Sequence, residues 1–240
     1  ILALADVGAP ADTPDRARRD KIDLGPLPSP PPLAFLLGRQ IFYGVSDARI
    51  SATGLACASC HPDGRDDALV WSTPDGPRRT PALAGKMEAP FGWTGASEDV
   101  ERHLDVEFRR LQGQGLRSVQ RDALLAFLGS LQAPSAPPAR DRALSERGAT
   151  IFVAKGCATC HPGGGTDGKT HDVGSKAGHD KKATFDTPSL RRLAGRAPFF
   201  HDGRFASVRA VLEQPHAEKG AAPKLDPKEI EALEAYLLTL

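Results

Sequence analysis

The residues of this chain that are best suited to chemistry form two pentads of the pattern Cys-x-x-Cys-His. They are Cys57, Cys60 and His61 in the first pentad and Cys157, Cys160 and His161 in the second. Two thiols at this spacing can add across the two vinyl groups of a heme, and the adjacent histidine then reaches the iron from the same face. The pentads therefore predict two covalently attached heme c groups, each with its pentad histidine as an iron ligand.

Two other chemistries fit a Cys-x-x-Cys pair, but the context of the pentads argues against both. Such a pair can be redox-active, as in thioredoxin, or two pairs can share a zinc ion. Here the pentads use all 4 cysteines of the chain, and each continues into a proline, Pro62 or Pro162. Heme attachment remains the prediction, and it implies a bacterial protein located in the periplasm or outside the cell.

Composition and charge are those of an ordinary globular protein. The formal net charge of +1 argues against a nucleic-acid or anionic-membrane partner. No apolar run approaches the roughly 20 residues needed to cross a bilayer, so no transmembrane segment is expected. Residues 1–10 lack a basic segment followed by an apolar one. We expect either that a leader peptide has been removed or that the sequence is a segment of a longer chain.

Proline-rich stretches divide the sequence into four predicted segments. Residues 1–32 form an N-terminal arm, whose prolines exclude helix and favour extended backbone. Residues 134–143 form a linker for the same reason. Between and after them lie a first c-type heme domain at residues 33–133 and a second at residues 144–240.

The two predicted domains repeat the same order of features, which supports their separation. Each has an apolar helix-like pattern, the pentad, a turn-rich loop, a corner of proline, aromatic residues and glycine, and a closing amphipathic helix. The closing helices are predicted at about residues 119–131 and 227–240, and no convincing alternating strand is present. The predicted fold is mostly α, with two cytochrome c-like heme domains and much irregular backbone.

Four further motifs accompany the pentads. They are RTPAL at residues 79–83, FGWTG at 91–95, TPSLR at 187–191 and APFFHDG at 197–203. With these motifs, residues 33–240 resemble the bacterial diheme cytochrome c peroxidase superfamily, which includes the diheme enzyme that matures methylamine dehydrogenase. The run THDVG at residues 170–174 is also similar to a subgroup of these relatives.

The resemblance implies a peroxidase-like oxidoreductase. In this family the N-terminal heme reacts with hydrogen peroxide, and the C-terminal heme takes electrons from a donor. A tryptophan lies between the hemes, and Trp93 occupies its motif position. Without the resemblance, Trp93 would be interpreted as a packing aromatic residue. The expected partner is a small redox protein or another electron donor or acceptor.

The first site departs from the family pattern on the distal side of its heme. The peroxidases commonly have a glutamine after the tryptophan where this chain has His103. An imidazole there can bind iron as a sixth ligand, or it can stand off the iron and move a proton during O–O cleavage. Glu107 lies one helical turn later and is expected to orient His103. His103, Glu107 and Trp93 are therefore the predicted catalytic residues, and a surface histidine on an acidic helix is the alternative for His103.

The second site also departs from the family pattern. The electron-accepting heme of the peroxidases usually carries a methionine ligand, but the only methionine here is Met87, in the first half. His216 is the leading candidate for the distal iron ligand, with His171 and His179 as alternatives on a long glycine-rich loop. Imidazole in place of thioether would lower the reduction potential. His201, in the second corner, is expected to support the heme environment without binding iron.

A calcium ion is not expected. The family's interdomain calcium site uses an asparagine at the position of Arg79. A guanidinium cannot ligate Ca²⁺, whose ligands are oxygens, but it can replace the positive charge of the ion.

Three functions are compatible with these features. The preferred one is reduction of hydrogen peroxide at the first heme with electrons passed from the second, because His103 and Glu107 can act as an acid–base pair. The alternative is a non-catalytic electron-transfer cytochrome in which both hemes are six-coordinate. A maturation-type oxidase that acts through surface aromatics has the least support, since the chain has only 2 tryptophans and 2 tyrosines.

Overall fold

Irregular segments connect short helices throughout the computed structural model, which describes residue 29, residues 31–218 and residues 222–240. The predicted arm at residues 1–32 therefore lies almost entirely outside the described residues. From residue 32 onward, the chain forms one compact unit.

Helices dominate the regular structure of the described residues. The helices are α1 (Leu33–Tyr43), α2 (Cys57–Cys60), α3 (Val100–Arg110), α4 (Ser118–Ser130), α5 (Arg142–Ala154), α6 (Val208–Glu213) and α7 (Pro227–Leu237). The strands form two antiparallel hairpins, β1 (Val70–Thr73) with β2 (Gly76–Arg79) and β3 (Thr170–His171) with β4 (Phe185–Asp186). The mostly α fold is confirmed, but the expectation of no strand is wrong, because strands of two to four residues are too short to show an alternating pattern. None of the described helices is long and apolar enough to cross a membrane.

The predicted closing helices correspond to α4 and α7, which end at Ser130 and Leu237. Residues 131–140 contain neither helix nor strand. The side chain of Asp141 then caps α5 by accepting a hydrogen bond from the Leu144 amide at 2.9 Å. The predicted linker at residues 134–143 thus includes the start of α5, and the division into two heme domains stays a prediction.

The first half of the chain is organised around the pairing of α1 with α4. Ile41 and Phe42 on α1 pack with Leu124 and Phe127 on α4, and all four are buried. The side chains recur at helical spacing, so each helix turns one apolar face to the other. The second half pairs α5 with α7 in the same way, around a smaller cluster that includes Phe152.

Both helix pairs cross at a glycine. A side chain at Gly38 in α1 would collide with the carbonyl oxygen of Ala123 in α4, and one at Gly148 in α5 would collide with the carbonyl oxygen of Ala232 in α7. Only glycine allows the two backbones to approach this closely. The repeat recognised in the sequence therefore has a structural basis in two equivalent helix crossings.

A leucine at the end of each half of the chain packs against the loop that follows the pentad of that half. Leu131, just after α4, packs against Gly64, and Leu240, after α7, packs against Gly164. Gly64 has φ 76° and Gly164 has φ 74°, a left-handed conformation that favours glycine. Each closing helix is therefore followed by a leucine that packs against the loop after the pentad.

Replacing Gly38 or Gly148 by alanine is expected to lower the free energy of unfolding of the heme-loaded protein by about 1–3 kcal/mol, because the added methyl group overpacks the helix crossing. The matched control is Gly129→Ala in α4, since nothing lies within 4 Å of the added Cβ there. The control should have equal or higher stability, because alanine restricts the unfolded chain. Denaturant unfolding measures all three variants, and equal stability of Gly38→Ala and Gly129→Ala would contradict this account.

Candidate heme sites

Both pentads present their histidine from nearly the same backbone conformation. The first pentad forms α2, and the second begins as a short 3-10 turn at Cys157–Thr159. His61 has φ −119° and ψ 61°, and His161 has φ −117° and ψ 62°. Each histidine amide donates a hydrogen bond to the carbonyl of the first cysteine of its pentad, at 2.9 Å and 3.0 Å. The two sites are therefore built on the same local plan.

The four cysteines are free thiols, and the pKa of each is raised, chiefly because burial disfavours the thiolate. For Cys57 burial raises the pKa to about 11. A redox-active Cys-x-x-Cys pair instead has a thiol with a lowered pKa. Within the described residues, the one group of potential metal ligands combines Cys160 with Asp167 and His171 and does not unite the two cysteine pairs. These thiols fit covalent attachment of heme better than redox exchange or zinc binding.

Both pentad histidines are in the neutral protonation state that binding to iron requires. Burial lowers the pKa of His61 and of His161, so both imidazoles are neutral near pH 7. His161 Nδ1 lies 3.3 Å from the carbonyl oxygen of Gly165, which leaves Nε2 free for iron. His61 Nδ1 is buried and has no hydrogen-bond partner among the described residues. The residues present therefore fit a c-type heme at each pentad.

His103 lies on α3, which begins where the side chain of Asp99 accepts a hydrogen bond from the Arg102 amide at 2.6 Å. Its ring stacks on Phe91 with 5.8 Å between centroids and contacts Gly92, so the first corner supports it. Burial and then the nearby positive charges, including that of His61, lower the pKa of His103 to about 4. The structure thus brings a neutral second imidazole close to the pentad histidine of the first site.

The expected contact between Glu107 and His103 is not present. The Glu107 carboxylate instead accepts a hydrogen bond from Arg110 at 3.1 Å. Burial raises the pKa of Glu107, and the Arg110 charge opposes this shift. Residues one helical turn apart share a face, but Arg110 also lies on that face and has the stronger attraction for a carboxylate. Packing on Phe91, rather than Glu107, orients the His103 ring.

His216 follows α6 and lies edge-on to Phe200, with 5.3 Å between ring centroids. Burial and then the charge of His161 lower the pKa of His216 to about 4. The residue as a whole is exposed, and its ring makes no hydrogen bond within the described part of the chain. A neutral imidazole with both nitrogens available therefore lies near the pentad histidine of the second site.

The two alternative histidines are placed differently. Both ring nitrogens of His171 are engaged, Nε2 with Asp167 at 2.8 Å and Nδ1 with Glu218 at 3.2 Å. The hydrogen bond to Asp167 is the main cause of a raised pKa for His171. His179 is exposed and lines a surface pocket with residues 72–77 of the first hairpin. Of the three candidates, His216 has the geometry best suited to binding iron.

Trp93 connects the two halves of the chain. Its indole Nε1 donates a hydrogen bond to the carbonyl oxygen of Arg79 at 2.7 Å. Its own carbonyl accepts a hydrogen bond from the Asp186 amide in the second half at 2.9 Å. Its ring centroid lies 6.4 Å from that of His201, the histidine of the second corner. Trp93 is therefore held between the segments that contain the two pentads.

A buried ionic network surrounds His201. The Asp180 carboxylate accepts hydrogen bonds from Arg78 at 2.5 Å and from His201 Nε2 at 2.9 Å. The His201 ring stacks on Phe185 with 3.9 Å between centroids. Burial raises the pKa of Asp180, but hydrogen bonds from the Ala177 amide, Arg78 and His201 outweigh this effect and lower the pKa to about 2. Sequence analysis did not identify Asp180, because no spacing pattern relates it to partners that are 102 and 21 residues away.

Arg79 forms a second buried ion pair, within the first half of the chain, and a hydrogen bond to the second half. Its guanidinium lies 2.9 Å from the Asp66 carboxylate and donates a hydrogen bond to the Arg196 carbonyl at 2.7 Å. Both charged side chains are almost fully buried. The guanidinium therefore places a positive charge beside the Asp66 carboxylate, and a guanidinium cannot ligate Ca²⁺. That no calcium binds here stays a prediction.

Comparison with known proteins agrees with this geometry. The family model described as cytochrome c matches residues 145–240. The methylamine utilization protein MauG of Methylorubrum extorquens is 29% identical, with 77% of this chain and 68% of MauG covered. The fold is shared with hydrazine synthase of Kuenenia stuttgartiensis at a TM-score of 0.73 and 20% identity, with 100% of this chain and 99% of that chain covered. It is also shared with the diheme peroxidase BthA of Burkholderia thailandensis at a TM-score of 0.62 and 16% identity, with 87% of this chain and 85% of that chain covered.

These similarities confirm three predictions made from the sequence. The cytochrome c fold is confirmed by the family model and the shared architecture. The resemblance to the diheme cytochrome c peroxidase and MauG superfamily is confirmed by MauG itself and by the diheme peroxidase. The similarity to MauG and the cytochrome c model confirm the expectation of an oxidoreductase that uses heme c. The roles of individual distal residues stay predictions.

Asp180→Asn is expected to lower the free energy of unfolding by about 3–5 kcal/mol near pH 7, because it leaves the buried Arg78 charge without its partner. Asp180 keeps its charge in the folded protein down to about pH 2, whereas an aspartate in the unfolded chain is protonated near pH about 3.9. The stability difference from the unsubstituted protein should therefore be full above pH about 4 and shrink as the pH falls towards about 2.

The measurement is denaturant unfolding of the heme-loaded proteins over this pH range. Asp172→Asn is the matched control, because Asp172 is exposed on the same loop and bonds only the Gly174 amide. A stability loss in Asp180→Asn that is no larger than in Asp172→Asn would show that the buried network contributes little.

Proposed function

We propose that this protein reduces hydrogen peroxide at the first pentad site, using electrons that enter at the second site and pass through the region of Trp93. Both pentads would then carry a covalently attached heme c. The overall reaction takes one H₂O₂, two electrons and two protons to two waters, and a small redox protein supplies the electrons. Attachment of heme c also supports a location in the periplasm or outside the cell.

The observation that carries this proposal is the neutral imidazole of His103 near His61. When bound, the heme supplies a redox-active iron that exchanges electrons with peroxide. Reduction of peroxide also needs a group that takes up and returns protons beside the reacting oxygen atoms. Because the pKa of His103 is lowered to about 4, the imidazole has a free electron pair near pH 7 and can accept a proton. Phe91 and Gly92 hold the ring and support this role.

The proposed role of Glu107 differs from the role predicted from the sequence, which was to orient His103. Its carboxylate is paired with Arg110 and does not orient His103. The Glu107 carboxylate lies one helical turn from His103, and burial raises its pKa, which suits it to hold a proton. Glu107 is therefore proposed as a secondary proton-handling residue, and His103 as the primary one.

Trp93 supports the transfer of electrons between the two sites. Its ring is half-buried and lies beside the His201 ring, and its backbone and indole join the two halves. An aromatic side chain held rigidly between two redox centres shortens the gap that an electron must cross. The buried contacts of Arg79 and Asp180 on either side keep this arrangement fixed.

One observation favours the alternative function of electron transfer alone. The arrangement is similar in the two halves: His103 lies near His61 in the first, and His216 lies near His161 in the second. If both distal imidazoles bind iron, both hemes are six-coordinate and neither has a place for peroxide. The two functions therefore differ in the coordination of His103, and one variant can distinguish them.

His103→Ala is expected to lower the rate of peroxide turnover by about 10²–10⁴-fold, because the positioned proton acceptor is lost. The spin state of the first heme, measured by EPR and optical spectroscopy in the oxidised and half-reduced protein, should remain unchanged. His179→Ala is the matched control, since His179 is exposed and distant from both pentad histidines in sequence. A change of the first heme from low to high spin in His103→Ala would identify His103 as a ligand and favour electron transfer.

His216→Ala is expected to convert the second heme alone from low to high spin, because the distal imidazole is removed. The potential of that heme should shift, while the EPR signal of the first heme stays as it was. Gln214→Ala, an exposed neighbour in the same loop, is the control and should leave both signals unchanged. An unaltered second heme in His216→Ala would show that His216 is not the ligand.

A further inference from the structure

Three side chains form a continuous chain beside the second pentad. His171 lies between two carboxylates, with Asp167 on Nε2 at 2.8 Å and Glu218 on Nδ1 at 3.2 Å. The side chains of His171 and Asp167 are about 15% and 14% exposed, so the contact between these two is partly shielded from water. Glu218 is half-exposed and lies two residues beyond His216. The chain of contacts therefore ends on the loop that carries the candidate distal ligand.

We propose that Asp167, His171 and Glu218 form a clamp that holds the His216 loop against the second heme site. The proposal rests on the proposed function in one respect, namely that His216 is the distal ligand of the second heme. His171 and Glu218 are then positioning residues, which act on the iron site through His216 and do not bind iron themselves.

The base of the clamp is fixed to the pentad loop. The Asp167 amide donates a hydrogen bond to the Cys160 carbonyl at 3.0 Å, and the Asp167 carboxylate accepts one from the Lys169 amide at 3.0 Å. His171 is in turn held in the β3–β4 hairpin, opposite Phe185. The attachment segment and the clamp base therefore move as one body.

At its Glu218 end, the clamp holds residues 214–218, which have few other restraints. Residues 214–218 lie between α6 and the next described residues and contain no α-helix or strand. His216 itself packs on Phe200 but makes no hydrogen bond with the described residues. The contact of Glu218 with His171 is therefore the principal polar restraint on this loop within the described part of the chain. Loss of that contact should let the loop open more often.

A metal site at the same cluster is less consistent with the geometry. Cys160, Asp167 and His171 offer ligand atoms within 4.8 Å of one another. However, the thiol of Cys160 belongs to the heme-attachment pentad, and the two carboxylates approach opposite nitrogens of the His171 ring. One ion cannot be reached by both carboxylates together with a single ring nitrogen. A bridging imidazole, which joins two carboxylates on different segments, fits the observed contacts better.

The test is the rate at which cyanide binds the second heme of the intact, heme-loaded protein. Cyanide can reach that iron only after His216 has left it, so the binding rate measures how often the loop opens. Glu218→Ala and His171→Ala are each expected to raise the rate by about tenfold, the factor that corresponds to about 1.4 kcal/mol. Most of the second heme should stay low-spin at equilibrium, because His216 is still present. Glu213→Ala, an exposed glutamate on the preceding helix, is the matched control and should match the unsubstituted protein.

The double variant His171→Ala/Glu218→Ala distinguishes a clamp from two unrelated effects. If the two residues act through one contact, the double variant should bind cyanide no faster than either single variant. Glu218→Gln, which keeps a hydrogen-bond acceptor for His171, should restore much of the slow binding. Additive effects in the double variant, or rates equal to that of Glu213→Ala, would overturn the clamp.

The failure of the clamp can be separated from the failure of the proposed ligand. If His216→Ala makes the second heme high-spin while the clamp variants bind cyanide at the unsubstituted rate, His216 is the ligand and the clamp is wrong. If His171→Ala alone makes the heme fully high-spin, His171 is the ligand, and both the clamp and the assignment of His216 are wrong.

Discussion

The close crossing of paired helices at a glycine is the constraint on which both sites depend. Gly38 lets α1 lie directly on α4, and Gly148 does the same for α5 and α7. Each closing helix then ends with a leucine packed against the pentad loop, which fixes the backbone from which the pentad histidine projects. The nearly equal dihedral angles of His61 and His161 follow from this shared support. A heme attached at each pentad would thus be positioned by helix packing as well as by its covalent bonds.

The two halves are joined by charged and aromatic groups in their interior. The buried ion pair of Asp180 with Arg78 links the halves, and Arg79, paired with Asp66 in the first half, donates a hydrogen bond to the Arg196 carbonyl in the second. Burying such charges has a large desolvation cost, and the attraction offsets it only with good geometry and further hydrogen bonds. A pair of this kind is therefore better suited to fixing one arrangement than to adding stability. Trp93 contacts both halves within that arrangement, so its position depends on the ionic contacts around it.

The proposed distal residues are histidines at both sites, and this residue type limits the chemistry available to each. A methionine ligand would raise the potential of the second heme, whereas an imidazole lowers it. At the first site a neutral imidazole can either bind iron or move protons. Both roles need the low pKa that burial gives His103. The carboxylates nearby are already engaged, Glu107 by Arg110 and Glu218 by His171. The acid–base pair expected from helical spacing is therefore replaced by an imidazole supported by aromatic packing.

Three features could be predicted from the amino-acid sequence, because they depend on residues that are close in the chain: the attachment pentads, the repeat of helix, pentad and corner, and the mostly α fold. It also identified His103 and His216 as the distal candidates, from their positions relative to recognisable motifs. Only the tertiary structure decided which acidic residues serve the histidines. Asp180 reaches Arg78 across 102 residues, and Glu218 reaches His171 across 47. Glu107, although correctly spaced from His103, is taken by Arg110. Such pairings are absent from local patterns because they form between segments that only folding brings together, where burial and competing charges select the partner.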